Sequence, residues 1–285
     1  MTVQQIKHIG IIGMGLIGGS FAALIKEKQS GYIVKGYDVD PAAAKLVQHG
    51  MLDIYCESIQ NVVKDVDLVI IATPIDSVIE TIKTVTDYAS PETLITDVAS
   101  VKAPIVDHLQ QANYAQTIIP GHPMGGSDQI GFANASAQYL YNTHYLITPL
   151  GKVPNQFKQF LESLSFIVAE IEAQKHDQLV GMTSHLPYLM SVMLMNILGS
   201  VPDNVDLGPV LGPGIKDMTR LSQSSVDWGR SVSQANKETL MELLTAVKAQ
   251  ANDLIEIINK EEWNKLAERL NNAQQLRQRL VKTIS

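Results

Sequence analysis

Gly13, Gly15 and Gly18 in "GIIGMGLIGGS" stand in G-x-G-x-x-G spacing between a β-like run and a helical pattern. The first glycine permits a tight turn, the second lets backbone approach a pyrophosphate, and the third lets a helix pack closely on its strand. The helix that follows opens with Leu16 and Ile17, whose free N–H groups suit phosphate oxygens. Asp38 ends "VKGYD", where a carboxylate accepts hydrogen bonds from ribose hydroxyls and repels a 2′-phosphate. No Arg follows nearby, so NAD is expected over NADP. Asp40 reads as the cap of the next helix. Thr73 and Pro74, at the end of "DLVIIATP", are assigned to the same cofactor site.

Further candidates lie on other segments. Ser100 and Lys102 in "TDVASVK" follow a strand, and His122 in "PGHPMGG" follows the next one. Ligands of open α/β sheets bind beyond the carboxyl ends of the strands, so Ser100 and His122 can converge on the nicotinamide end of a dinucleotide. Plainer readings stay open: Ser100 as a helix cap, His122 as a loop residue. No Cys, Glu or second His flanks His122 at metal-ligand spacing. His185 precedes Pro187 inside an apolar helical run, which suggests a broken helix lining a site or else a satisfied core histidine. Arg220, with Lys216 one turn earlier, could hold an anion or a salt bridge.

The elements that must position these residues alternate in type. Short β-rich runs separated by helical segments through the first half imply βαβ units and a mainly parallel sheet covered by helices. The pattern changes around residues 144–156. After one more β-like run, "FIVAEIE", long helices are expected at roughly His176–Leu198, Ser231–Asn259 and Glu261–Ile284. The fold class is therefore α/β. A Rossmann-type, doubly wound dinucleotide-binding domain spans residues 1–150, and an all-helical substrate-binding and dimerisation domain spans 151–285. Trp263, Leu266, Leu270 and Leu276 punctuate an otherwise polar helix, which points to a homodimer through helices. A formal charge of −7 argues against a nucleic-acid or anionic-membrane surface. The single Cys56 excludes an internal disulfide. No apolar run reaches membrane-spanning length and no signal peptide is visible, so a cytoplasmic protein is expected.

Together "GIIGMGLIGGS", "TDVASVK", "GHPMGGSDQIG", "HDQLVGMTSHLPYL" and "GIKDMTR" resemble, in order and over nearly the whole chain, the prephenate/arogenate dehydrogenase family of tyrosine biosynthesis. The resemblance implies NAD-dependent oxidative decarboxylation of prephenate to 4-hydroxyphenylpyruvate. It implies that His122 withdraws the proton of the substrate hydroxyl as hydride leaves. It further implies that Ser100 hydrogen-bonds His122 or that hydroxyl, that Arg220 grips the ring carboxylate, and that His185 contacts the side chain or orders the site around it. Lys102 would add positive potential toward the substrate. Asp128 holds a position linked in the family to the choice between prephenate and arogenate. Tyr188 stands where many relatives carry a second His, and Lys216 where some carry Arg. Arogenate dehydrogenase is the alternative. A β-hydroxyacid dehydrogenase is disfavoured because the helix after His176 has no lysine, and a non-catalytic NAD sensor because of the His122, Ser100 and Arg220 set.

Overall fold

The computed structural model describes residues 6–28, 31–202 and 204–281. Its strands are β1 (His8–Ile12), β2 (Ile33–Tyr37), β3 (Ile54–Tyr55), β4 (Leu68–Ile71), β5 (Leu94–Asp97), β6 (Thr117–Pro123), β7 (His144–Ile147) and β8 (Ile167–Glu170). They form one sheet in the order β3-β2-β1-β4-β5-β6-β7-β8, and β6 with β7 is the antiparallel pair in it. The chain runs outward from β1 to β3 and then returns to β4 on the other side of β1. That reversal opens a crevice at the carboxyl ends of β1 and β4, the usual dinucleotide position in such sheets.

Helices α1 (Leu16–Lys28), α2 (Lys45–Gln48), α3 (Ile59–Val63), α4 (Val78–Tyr88), α5 (Ala103–Gln111) and α6 (Asn155–Ser163) lie between strands. β4 reads "LVII" and is buried throughout, because helices cover both of its faces. Leu68 and Ile70 join a core with Phe21 and Leu24 of α1 and Phe157 and Phe160 of α6. Val69 and Ile71 point the opposite way, toward Val62 of α3, Ile82 of α4 and Ile105 of α5. The two-residue period of a strand thus supplies two cores from one tetrapeptide.

Beyond the sheet come α7 (Ala173–Val180), α8 (Leu186–Leu198), α9 (Pro213–Thr219), α10 (Val226–Ala235), α11 (Lys237–Asn259) and α12 (Trp263–Val281). The expected helix His176–Leu198 is instead α7 and α8 joined by a π-helical turn at Gly181–His185. Pro187 lacks the N–H that a regular α-helix needs at that point, and a widened turn accommodates the gap. The expected helix Ser231–Asn259 also differs, since Asn236 (φ −111°, ψ 32°) separates α10 from α11. Residues 282–284 of the third expected helix lie outside the described residues.

The chain divides into two compact units, Met1–Lys237 and Glu238–Ser285. In the second unit Arg269 pairs with Asp253, and its Nη2 donates to Gln250 Oε1 at 2.8 Å. Ile255, Ile258, Trp263, Leu270 and Leu276 are exposed there. No described helix is long and apolar enough to cross a membrane.

Candidate active site

The glycine-rich turn shows three different spatial demands. Gly13 has φ +88°, and a Cβ on it would lie 2.5 Å from the Ala72 carbonyl oxygen. A Cβ on Gly18 would meet the Gly13 carbonyl at 1.9 Å, whereas one on Gly15 would meet nothing within 4 Å. Two glycines are therefore forced by packing, and the third leaves an opening beside the start of α1. Leu16, Ile17 and Gly18 form the first turn of α1, whose N–H groups have no partner one turn back. Asp38 accepts from Met14 N through Oδ2 at 2.6 Å and from Asp40 N through Oδ1 at 2.8 Å. Each oxygen keeps a second lone pair for a ribose hydroxyl. Asp40 caps residues 41–44 as expected, accepting from Ala42 N at 2.9 Å. Thr73 and Pro74 come just after β4, with one residue intervening, and Thr73 N faces Gly13. An open cradle, unpaired helix N–H groups and a carboxylate acceptor together fit a dinucleotide.

His122 is not a loop residue: it lies within β6, paired with Leu146 of β7. β6 changes partners along its length. Thr117–Pro120 pair with β5, and Gly121–Pro123 pair with β7. Gly121 is required because a Cβ there would sit 2.3 Å from the hydroxyl of buried Tyr145. The β1-to-β6 spacing is three strand separations, about 14 Å. The segment after His122 reaches back to α1, where Ser136 N donates to Ser20 Oγ at 2.9 Å.

A buried polar cluster surrounds this histidine. His122 Nδ1 lies 2.9 Å from His176 Nε2, and His176 Nδ1 lies 2.7 Å from Asp177 Oδ1. The Asp177 carboxylate also accepts from Lys102 N at 2.7 Å and Ala103 N at 2.8 Å, at the start of α5. Asn236 Nδ2 donates to the Asp177 carbonyl at 2.9 Å and lies 3.2 Å from His185 Nδ1. Burial, reinforced by His176, Lys102 and His185, holds His122 well below the ordinary histidine value, so its ring is neutral at pH 7. Burial likewise pushes His185 down to about 4, against the pull of Asp177. Among the described residues, His122 Nε2 has no hydrogen-bond partner, and His185 Nε2 is buried without one.

The other expected site residues fall in different surroundings. Lys102 is fully buried, with its Nζ bonded to Asp97 and, at 2.6 Å, to the Gly121 carbonyl. Burial lowers its pKa while Asp97 opposes that shift. Its ammonium thus braces β6 from inside the protein, and its positive charge is felt at His122. Ser100 is partly buried on the loop between β5 and α5, and Lys102 rather than Ser100 stands at the cap position of α5. Asp128 is partly buried and accepts from Ser127 Oγ at 3.2 Å. Arg220 is exposed just after α9, with no ion pair among the described residues. Lys216 lines a hollow between α8 and α9 with Met195, Leu211 and Ile215. His185 and Tyr188 both pack edge-on against Trp228, with ring centroids 6.0 and 5.2 Å away.

Sequence reasoning singled out neither His176, Asp177, Asn236 nor Asp97. A signal for the first two was present. Ala173, His176, Asp177 and Val180 recur at helical spacing and are all buried, so the stripe of α7 facing the core carries an imidazole and a carboxylate.

The family model described as "Prephenate dehydrogenase, nucleotide-binding domain" matches residues 21–174, more than half of the chain. The chain belongs to the prephenate dehydrogenase family. A second model, "Prephenate dehydrogenase, dimerization domain", matches residues 172–272. Prephenate dehydrogenase of Bacillus subtilis is 30% identical over 84% of this chain and 67% of its own length. Cyclohexadienyl dehydrogenase of Zymomonas mobilis is 25% identical over 97% of this chain and 96% of its own. Prephenate dehydrogenase from Aquifex aeolicus, solved with hydroxyphenyl propionate and NAD+, superposes with a TM-score of 0.88 at 25% identity. That match covers 98% of this chain and 100% of the other.

Proposed function

We propose that this protein is a cytoplasmic, homodimeric, NAD-dependent dehydrogenase that converts prephenate to 4-hydroxyphenylpyruvate and CO₂. The observation that carries the reading is His122 itself. It is a neutral imidazole fixed in β6, with Nδ1 engaged by His176 and Nε2 without a protein partner among the described residues. It stands on the side of the dinucleotide crevice toward which β4, β5 and β6 succeed one another. Residues 1–150 hold the dinucleotide through Gly13, Gly15, Leu16, Ile17, Gly18, Asp38, Thr73 and Pro74. Residues 151–285 supply the helical part of the substrate site and the dimer contact, for which the exposed apolar residues of α12 are suited.

When bound, NAD accepts hydride from C4 of the cyclohexadienol ring. His122 Nε2 takes the 4-hydroxyl proton as that C–H bond breaks, and a neutral ring is the form able to do so. Loss of CO₂ leaves its bonding electron pair in the ring, which becomes a phenolate. His122 then returns the proton to the phenolate oxygen. Arg220 holds the ring carboxylate, since a planar guanidinium matches it with two hydrogen bonds. Ser100 binds the reacting hydroxyl or His122. His185 donates toward the side chain, and Asp128 bears on its recognition.

The test is NADH absorbance with the purified protein, NAD and prephenate, with arogenate in parallel. Replacing His122 by Asn should lower kcat about 10²–10⁴-fold while substrate still binds. Absence of NADH formation with both ring acids refutes the reading.

A further inference from the structure

We propose that Asp177 acts as a hub fixing the active-site histidines in complementary tautomers, His122 presenting a lone pair and His185 presenting an N–H. This rests on the reading of His122 as the base, but its geometry stands independently. An ionised carboxylate only accepts hydrogen bonds. Asp177 Oδ1, 2.7 Å from His176 Nδ1, therefore places the proton of that pair on His176 Nδ1. In the proposed arrangement His176 Nε2 carries the lone pair and accepts from His122 Nδ1 at 2.9 Å. His122 is left with its N–H directed inward and its lone pair at Nε2, the form that can withdraw a proton.

His176 is fully buried. The carboxylate of Asp177 is shared among His176 and two backbone N–H groups of α5. The same residue governs His185 through its backbone. Its carbonyl accepts from Asn236 Nδ2, which fixes the orientation of that amide. The amide nitrogen then faces His185 Nδ1 at 3.2 Å as a donor, so Nδ1 accepts and the proton sits on Nε2. That Nε2–H is buried with no partner among the described residues, and the acceptor it fits is a substrate carbonyl or carboxylate oxygen. His176, Asp177 and Asn236 are positioning residues: they act through the histidines rather than on the substrate.

The decisive measurement needs no variant of the hub. Nitrogen-15 chemical shifts of histidine-labelled full-length protein at pH 7 report which ring nitrogen carries hydrogen. His122→Asn and His185→Asn assign the two signals by their loss. The expected result is hydrogen on Nδ1 of His122 and on Nε2 of His185. Hydrogen on Nε2 of His122, or on Nδ1 of His185, overturns the proposal, whether or not the protein oxidises prephenate. Kinetics add a second readout. His176→Phe should lower kcat about 10²–10³-fold with KM within twofold, by releasing His122 into the other tautomer. His176→Gln, whose carboxamide oxygen can accept from Nδ1, should recover most of that loss. Adding His176→Phe to His122→Asn should cost nothing further, because the two act as one unit. If His122→Asn abolishes turnover while folded His176→Phe leaves kcat and the tautomer unchanged, the hub fails and the base stands. If His122→Asn leaves turnover normal while the tautomers are as expected, the base fails and the hub stands.

Discussion

Replacing Lys102 by Met tests whether its ammonium braces the fold or reaches the substrate. Lys102 and Asp97 are 0% and 1% exposed, so water screens neither charge. Nζ donates to Asp97 Oδ1 and to the Gly121 carbonyl. Without it, Asp97 keeps, among the described residues, the Ala99 N–H on Oδ1 at 2.9 Å, and its Oδ2 has no partner there. Removing one member of a buried pair leaves an uncompensated charge, which costs about 3–5 kcal/mol, or about 10²–10⁴ in the folding equilibrium. A methionine fills similar volume, so cavity formation adds little. Adding Asp97→Asn removes the stranded charge and should restore most of the loss. The assay is urea unfolding of the full chain at fixed protein concentration, with KM measured on the same samples. Destabilisation below about 1 kcal/mol together with a tenfold rise in KM would refute the placement of Lys102 as an internal brace.

Further outcomes follow from the same geometry. As the proposed base, His122 must be neutral to act, and its pKa lies well below 6.5. The profile of kcat/KM should therefore be level above pH 6.5 and fall as pH drops through the lowered value; an acid limb above 6.5 contradicts this. Arg220→Ala should raise the KM for prephenate by at least tenfold, with NAD binding unchanged, because an exposed guanidinium at the end of α9 has no ion pair among the described residues to lose. An unchanged KM removes Arg220 from the site. His185 shifts from 6.5 unfolded to about 4 folded, so the unfolded chain takes up its proton first. Its contribution, at most roughly 3 kcal/mol, is complete above pH 6.5 and lost as pH falls toward 4. Urea titrations at pH 7 and 4.5 should show a smaller acid loss in His185→Asn than in the parent, and equal losses refute that assignment.

Much of the nucleotide-binding part was legible in the sequence because its signals are local. Helix α1 follows its glycine turn directly, β4 is an apolar run stopped by Pro74, and Asp40 announces a cap. What escaped depends on partners distant in the chain. Pro120, Gly121 and Pro123 look like loop residues, yet they belong to a strand. Gly121 is dictated by Tyr145, and Pro120 lies where the strand passes from one neighbour to the next. Lys102 carries the same charge in a cleft or in a core, and spacing cannot distinguish the two. Asn236 is an indifferent helix former with no local reason to end a helix. It becomes intelligible only once its amide is seen on the Asp177 carbonyl, 59 positions earlier.

The addition of β7 antiparallel to β6 has a consequence for how such a protein can diversify. The proposed proton acceptor, His122, is stitched between strands rather than carried on a loop. Changes in residues 124–136 or in the turns around Arg220 can therefore alter which ring acid is admitted without re-aiming the imidazole. On this frame a change of specificity falls to the entrance, while the strand pairing keeps the imidazole where it is.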